Sequence, residues 1–292
     1  MRLEASFDLD FSLCCGQVFR WKKMGDWWYG VVDDNVFKIR QCGAELEFEN
    51  VSKEFVVHYF GLNDDLEKIS RCIGKDNYIK EALRQFKGLR IVRQVPWECL
   101  ISFICATYKG IAAIELMLGK LSEKFGEKRV FEGKDFYTFP TAEKLAFASQ
   151  NGLQECGLGY RTKYLQATAK KIYEYKIELE SFKNLSYLEA KKKLVEFPGV
   201  GPKVSDCVLL FSLEKMEAFP VDVWVKRVIL SHYANQLQEE LVKKLSTRNS
   251  ISNSEYEEMN TFGRTYFGEY AGYAQEYLYH YERTQRQKNI LK

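Results

Sequence analysis

The chain has 292 residues, of which 46% are hydrophobic and 28% are charged, and its net charge at pH 7 is +3. This composition is typical of a globular protein with one large or two modest domains. The small net charge excludes a polycationic protein that holds nucleic acid by charge alone. The first eight residues lack a basic region followed by an apolar segment, and no run of 18 apolar residues occurs. We therefore expect no secretion or targeting signal and no membrane partner, with a cytoplasmic (nucleoid-associated) or nuclear location depending on the source.

The eight cysteines are scattered through the chain without a C-x-x-C pair, and the three histidines lack metal-ligand spacing. Without signs of secretion, these thiols are expected to be reduced. The residues themselves indicate no required cofactor.

The first 50 residues predict an antiparallel meander of strands. Aromatic and β-branched residues fill positions 17–21, 27–32 and 36–40, turn residues lie at 24–26 and 33–35, and positions 45–48 add another strand. Helical segments are expected within residues 54–92, before the chain reaches Pro96.

From Pro96 onward the sequence predicts a nearly all-helical body. Apolar residues recur at helical spacing in segments 97–107, 111–125, 142–149, 164–175, 187–196, 256–267 and 271–281, and a serine-rich stretch at 246–254 predicts a loop. The predicted fold class is therefore α+β. We expect an N-terminal antiparallel sheet domain at 1–93, with flanking helices, and a mainly helical body at 94–292.

One stretch of the helical body, residues 187–213, predicts a helix, a tight hairpin and a second helix. Phe197-Pro198-Gly199-Val200-Gly201 interrupts the helical pattern, because proline excludes its predecessor from a helix and glycine permits positive φ. Pro202 suits the first turn of the next helix. The free N–H groups expected at Val200, Gly201 and Lys203 then form a seat for a phosphate.

Two residues of this region have the chemistry of a nucleophile and a fixed anion. Lys203 lies in the first helical turn, where the helix dipole disfavours its protonated form and makes the amine available for attack. Cys207 follows one turn later on the same face. Asp222 directly precedes an amphipathic run and is a good N-cap, and a capping carboxylate stays ionised.

Each of these features has an ordinary structural interpretation when taken alone, as a turn, a solvated lysine or a helix cap. Their combination is more specific. The run from Leu194 to Cys207, followed by Pro220-Val-Asp-Val, resembles the helix–hairpin–helix glycosylase motif. The Lys-Val-x-Asp-Cys sequence is most similar to the 8-oxoguanine DNA glycosylase branch, and this resemblance extends over nearly the whole chain.

The resemblance implies a pocket for a flipped base. The Gly16-Gln-Val-Phe-Arg-Trp segment is similar to one whose glycine carbonyl accepts the N7–H that only oxidised guanine carries. The resemblance also implies that Gln275 bonds the Watson–Crick edge, while Tyr279 and Cys207 hold the two faces of the base. The ordinary alternative is a glycine at a strand start and a stripe of core aromatics.

On the DNA side, the resemblance implies that Tyr160 is a wedge between bases and that Arg161 faces the base left opposite the lesion. The family's asparagine and arginine on this side are replaced by Tyr108 and Ala113, which puts a strict preference for cytosine in doubt. Tyr108 is expected to stack in the space that the missing asparagine and arginine leave. Trp224 replaces a histidine that touches phosphate in relatives.

At the hairpin, the resemblance implies phosphate binding through Gly199, Val200 and Gly201. It also implies a structural monovalent cation held by the backbone carbonyls of Val195, Phe197 and Val200. No cysteine follows Cys207, so the four-cysteine cluster of endonuclease III and the adenine glycosylases is absent from the sequence and no iron–sulfur cluster is expected.

The resemblance therefore implies a bifunctional enzyme that acts as a monomer on double-stranded DNA. It would excise 8-oxoguanine through attack of Lys203 on C1′, with Asp222 stabilising charge, and then cleave the strand by β-elimination. Two alternatives stay open: a monofunctional alkylpurine glycosylase, against which Lys203 argues, and a non-catalytic helix–hairpin–helix DNA-binding module.

Overall fold

The strands form two separate antiparallel sheets in the computed structural model, which describes residues 1–4, 6–248 and 250–290. The larger sheet has the order β1-β5-β4-β3-β2, and the smaller is a two-stranded hairpin. The strands are β1 (Arg2–Glu4), β2 (Lys22–Met24), β3 (Trp27–Val32), β4 (Asn35–Cys42), β5 (Glu45–Glu49), β6 (Lys128–Phe131) and β7 (Lys134–Tyr137).

Helices make up most of the rest of the described chain. They are α1 (Leu9–Cys14), α2 (Lys53–Tyr59), α3 (Leu66–Ile73), α4 (Asn77–Gln85), α5 (Pro96–Ala106), α6 (Ile111–Phe125), α7 (Ala142–Ala146), α8 (Gln150–Glu155), α9 (Arg161–Tyr175), α10 (Tyr187–Leu194), α11 (Pro202–Ser212), α12 (Val223–His232), α13 (Glu239–Ser246), α14 (Asn253–Phe267) and α15 (Ala271–Ile290). None of these described helices is long and apolar enough to cross a membrane.

The predicted α+β architecture, with an N-terminal antiparallel sheet and a mainly helical body, is confirmed. Two-residue turns join β2 to β3 and β3 to β4, with Gly25 and Asp33 at positive φ, as the primed hairpin turns require. Phe37, Ile39 and Phe48 are fully buried on the inner face of the sheet. The aromatic and β-branched runs, separated by turn residues, therefore predicted this sheet correctly.

Several elements were not predicted, among them β1, α1, α8, α13 and the β6–β7 hairpin. Helix α1 is short, and α15 continues past Tyr281 to Ile290. The β6–β7 hairpin interrupts a region expected to be all-helical, because its charged residues conceal the alternation. It is stabilised by the N-terminal sheet, where Tyr29 stacks on Phe136 at 5.8 Å and Lys38 reaches Glu132 at 2.5 Å.

The predicted domain boundary at residues 93 and 94 stays a prediction. Side chains of α3 and α4, such as Ile69 and Ile79, pack in the core of the helical body, while Phe37 and Val56 belong to a separate core under the sheet. Residue 249 of the serine-rich stretch and residues 291–292 of the second domain lie outside the described chain.

Candidate active site and DNA-contacting surface

The hairpin between α10 and α11 adopts the tight reversal that its glycines predict. Gly199 has φ +81°, and a Cβ placed there would lie 2.7 Å from Cβ of Tyr164 on α9. The Thr168 hydroxyl on α9 donates to the carbonyl of Pro198 at 2.8 Å. Only glycine satisfies both the backbone conformation and the close approach, so the hairpin is held rigidly against α9.

The start of α11 presents unpartnered backbone N–H groups, although one expected group is engaged. Gly201 is the N-cap and supplies no side-chain cap, and Pro202 occupies the first turn. The N–H of Val200 donates to the carbonyl of Phe197 at 3.1 Å, so it is not free as the sequence predicted. The N–H groups available for the predicted phosphate seat therefore begin at Gly201.

Lys203 lies in the first turn of α11 and is partly exposed. Its Nζ is 5.3 Å from the centre of the Phe103 ring on α5. Within the described residues, no carboxylate oxygen lies within 4.0 Å of Nζ. The amine is thus not locked in an ion pair, and it remains available to a ligand.

Asp222 is the N-cap of α12, as predicted, and its Oδ1 accepts the N–H groups of Trp224 and Val225 at 2.9 Å each. Burial raises the pKa of the Asp222 carboxyl, while the two N–H groups and the nearby charge of Lys203 act to lower it. The structure therefore places the predicted amine near enough to the anion for their charges to interact without forming an ion pair, and backbone donors orient the carboxylate.

The Cys207 thiol is buried on the same face of α11 as Lys203. Burial raises its pKa to about 12, against an opposing effect of the Lys203 charge, and the carboxylates of Asp222 and Glu276 raise it further. A thiol with this pKa stays neutral near pH 7, so Cys207 is suited to packing against a ligand and not to nucleophilic attack.

A buried carboxylate one turn after Lys203 on α11 was not singled out in the sequence. Asp206 is fully buried and accepts hydrogen bonds from Tyr187 at 2.6 Å, Tyr256 at 2.7 Å and Asn260 at 3.1 Å, while Lys191 lies at 3.2 Å. These partners belong to α10 and α14. A charged residue between Ser205 and Cys207 in an otherwise apolar helix was the available signal.

The predicted pocket residues of the N-terminal segment and of α15 meet in space. Gly16 has φ +103°, and a Cβ there would lie 3.3 Å from the Tyr279 hydroxyl and 3.0 Å from Cδ1 of Ile111. The buried amide of Gln17 bonds the backbone of Arg90, which fixes this segment. A side chain at position 16 would fill the space beside Tyr279.

Gln275 is 5% exposed, and its Oε1 has no hydrogen-bond partner among the described atoms. A buried amide oxygen without a partner is costly, and it is expected where a ligand supplies the missing donor. Glu276 and Arg283 also border this space, although no sequence pattern drew attention to them.

The predicted DNA-facing residues have different orientations. Tyr108 is 88% exposed with φ +55°, and Tyr160 is 53% exposed at the start of α9. Arg161, by contrast, is 4% exposed, and its guanidinium bonds the carbonyls of Thr107 and Leu158. The expected outward contact of Arg161 is not present in this structure, because local carbonyls take up its donors.

Residues 2–100 match the model of the 8-oxoguanine DNA glycosylase N-terminal domain, and residues 101–250 match that of the HhH-GPD superfamily of base excision DNA repair proteins. The chain belongs to the 8-oxoguanine DNA glycosylase family. It is 32% identical over 260 residues to an N-glycosylase/DNA lyase of Saccharomyces cerevisiae, covering 82% of this chain and 68% of that one. It is also 32% identical over 291 residues to an N-glycosylase/DNA lyase of Arabidopsis thaliana, covering 93% and 76%.

Solved structures show the same fold along the whole glycosylase chain. The 8-oxoguanine glycosylase/lyase of Clostridium acetobutylicum, in complex with double-stranded DNA containing cytosine opposite 8-oxoguanine, superposes with a TM-score of 0.87 at 33% identity, covering 98% of each chain. The 3-methyladenine DNA-glycosylase of Archaeoglobus fulgidus is 21% identical with a TM-score of 0.74, which shows a shared fold alone.

Two features of this glycosylase family member concern phosphate and cations. Trp224 is partly buried beside Asp222, and the Arg227 guanidinium lies 4.9 Å from its ring centre, so a cation is present near the position of the expected histidine. Among the described residues, no group of three or more His, Cys, Asp or Glu side chains has an arrangement that holds a metal ion. The hairpin carbonyls of Val195, Phe197 and Val200 stay a prediction for a monovalent cation.

Proposed function

We propose that this protein excises 8-oxoguanine from duplex DNA and cleaves the strand at the resulting site. The observation that carries the proposal is that the charges of Lys203 and Asp222 act on Cys207 and, on α15, on Glu276 beside Gln275. The Asp222 charge also acts on Tyr279, whose hydroxyl lies beside Gly16. Family membership and the named activity of the relatives support the same conclusion. Lys203 and Asp222 would carry out the chemical steps, and the pocket would select the base.

Binding requires the lesion to leave the helix, at a cost of a few kcal/mol for each unstacked base. Backbone N–H groups from Gly201 onward would hold a phosphate at the positive end of α11. Exposed Tyr160 would enter the gap in the duplex, and the unpartnered Oε1 of Gln275 would accept a donor from the base edge. Gly16 leaves the oxidised edge room to approach the backbone.

The reaction then proceeds at the sugar. The unprotonated amine of Lys203 forms a bond to C1′ as the C1′–N9 bond breaks, and the base departs with the electron pair and takes up a proton. Asp222 stabilises the positive charge that develops on the sugar. The C1′ adduct opens to a Schiff base, and loss of a C2′ proton expels the 3′ phosphate, which leaves a nicked strand.

Lysine trapping tests the nucleophile. Lys203→Gln is expected to abolish the covalent adduct formed with 8-oxoguanine DNA under borohydride, because no amine remains to form the Schiff base. DNA affinity should be retained. Lys243→Gln, at a side chain 73% exposed on α13, is the matched control and should be trapped like the original protein. Persistent trapping by Lys203→Gln would refute the assignment.

The same preparations separate the alternative activities. An alkylpurine glycosylase would release 3-methyladenine in preference to 8-oxoguanine and would give no trapped adduct. A non-catalytic DNA-binding module would bind duplexes with equal affinity whether or not they contain a lesion, and would release no base. The buried, unpartnered Gln275 oxygen disfavours the second alternative, since a module without a base pocket has no use for it.

The remaining expectations are part of the same proposal. The protein would act on double-stranded DNA as a monomer, with the sheet domain ending near residue 93. A monovalent cation at the hairpin carbonyls would link the turn to phosphate. Because Phe197 already accepts the Val200 N–H, its carbonyl would share its second lone pair with that cation.

A further inference from the structure

The guanidinium of Arg283, on α15, lies at the Gly16 side of the pocket. Its Nη1 is 3.3 Å from the position that a Cβ would take on Gly16, and 3.5 Å from the Tyr279 hydroxyl. The ring centre of Tyr279 is 5.3 Å from Cζ of Arg283. A permanent cation therefore borders the space in which the oxidised edge of the base is expected.

This guanidinium has more donors than the protein uses. Nη2 donates to the carbonyl of Cys14 at 2.7 Å and faces Nδ1 of His280 at 3.2 Å. Burial and the Arg283 charge lower the pKa of His280 to about 4, so the neutral ring can accept this bond. Nη1 has only the long contact to Tyr279, and Nε has no partner among the described atoms. Of the five N–H donors, those on Nη1 remain available to a ligand.

An oxidised purine presents a matching acceptor. Its C8 carbonyl oxygen stands beside N7–H, whereas guanine has only a C–H at C8 and therefore offers no acceptor there. We propose that Arg283 is a specificity-determining residue that donates a hydrogen bond from Nη1 to the C8 oxygen of the lesion. This inference rests on the proposed function, because it names a residue that recognises the base which the pocket would bind.

The buried carboxyl group of Glu276 is consistent with a cation at the position of Arg283. Glu276, two helical turns before Arg283 on the same side of α15, is 2% exposed, and its Oε1 has no donor among the described atoms. The Arg283 charge opposes the rise in the Glu276 pKa that burial causes. The Lys203 charge acts on Glu276 in the same direction, and Asp222 acts against it. The Arg283 cation thus partly offsets the cost of burying the Glu276 carboxylate.

The test compares affinities in the Lys203→Gln background, where no chemistry intervenes. Three duplexes differ only at one position, which holds 8-oxoguanine, guanine or a tetrahydrofuran abasic analogue. Arg283→Met is expected to lower the ratio of 8-oxoguanine affinity to guanine affinity by about tenfold, the usual effect of one charge-assisted hydrogen bond. Affinity for the abasic duplex should not change, because that duplex carries no base to read.

Control variants exclude a purely structural effect. Arg283→Lys keeps a charged donor and is expected to retain part of the preference for 8-oxoguanine over guanine. Arg286→Met changes an arginine one turn later that contacts Glu282, and it should leave the affinity ratio unchanged. An unchanged ratio in both position-283 variants would overturn the proposal. An equal loss of affinity for all three duplexes would also overturn it, since this would indicate a phosphate contact or damage to the fold. Failure of the Lys203→Gln parent to prefer 8-oxoguanine would instead count against the proposed function.

Discussion

At the scale of single residues, environment decides which groups can react. Lys203 and Cys207 share a helix face, yet only the lysine is suited to attack a sugar, because burial keeps the thiol neutral. Asp222 has two backbone donors that favour its charged form despite burial. The sequence predicted the amine and the anion from their positions at helix starts. It did not predict Glu276, whose buried state depends on packing against the segment that contains Cys15.

Glu276 should make stability depend on pH. Burial raises its pKa from 4.5 to about 7, so the folded protein holds this proton more tightly than the unfolded chain. Its contribution to the free energy of unfolding is complete below about pH 4.5 and is lost as pH rises through 7. The free energy of unfolding of Glu276→Gln minus that of the original protein should therefore rise by about 3 kcal/mol from pH 4 to pH 8, measured by urea unfolding.

Glu255 should make stability depend on pH in the opposite direction. The Ser252 N–H, followed by the Arg248 guanidinium, lowers the pKa of Glu255 to about 2. That contribution is present at neutral pH and disappears as pH falls through 2. Glu255→Gln should consequently lose stability relative to the original protein most strongly at neutral pH. If the stability differences of Glu276→Gln and Glu255→Gln from the original protein changed with pH in the same way, the opposite pKa shifts of the two carboxyls would be contradicted.

At the scale of elements, the turn at residues 107–110 and the start of α9 carry the side chains that we propose to face the base opposite the lesion. Tyr108 and Tyr160 are the two exposed aromatics here, while Arg161 turns inward to the Thr107 carbonyl. Aromatic side chains stack on any base, whereas preference for one base needs hydrogen bonds to its edge. The sequence indicated the loss of edge readers at Tyr108 and Ala113, but the inward direction of Arg161 required the structure.

Excision opposite the four bases should accordingly be similar. Single-turnover rates for 8-oxoguanine paired with each base are expected to fall within about tenfold, less than a good bidentate reader provides. Tyr108→Ala should lower the four rates together, because it removes a shared stacking surface. A preference above about a hundredfold for one partner, abolished by Arg161→Ala, would show instead that Arg161 turns outward to read that base.

At the scale of the whole molecule, the position of Lys203 depends on a polar core. Asp206 connects α11 to Tyr187 of α10 and to Tyr256 and Asn260 of α14, with Lys191 completing its charge balance. These contacts join residues far apart in the chain. They hold α11 against α10 and α14 one turn after Lys203, so the direction of the amine depends on three helices.

Removing this charge should cost stability throughout the helical body. Asp206→Asn leaves Lys191 without its buried partner, and we expect a loss of about 3 kcal/mol in the free energy of unfolding, measured by urea denaturation. Asp26→Asn, at an exposed position in the turn between β2 and β3, is the control and should change stability little. A negligible effect of Asp206→Asn would show that the hydrogen bonds alone maintain the network.

By itself the sequence determined the local features: the sheet strands, the broken helix at Pro198 and Gly199, and the family to which Lys203 and Asp222 point. These follow from short-range pattern and from residues whose backbone preferences are strong. Only the tertiary structure decided the β6–β7 hairpin, the inward Arg161 and the meeting of Gly16 with Arg283. Such features arise between residues distant in the chain, where burial and competing hydrogen-bond partners override local preference.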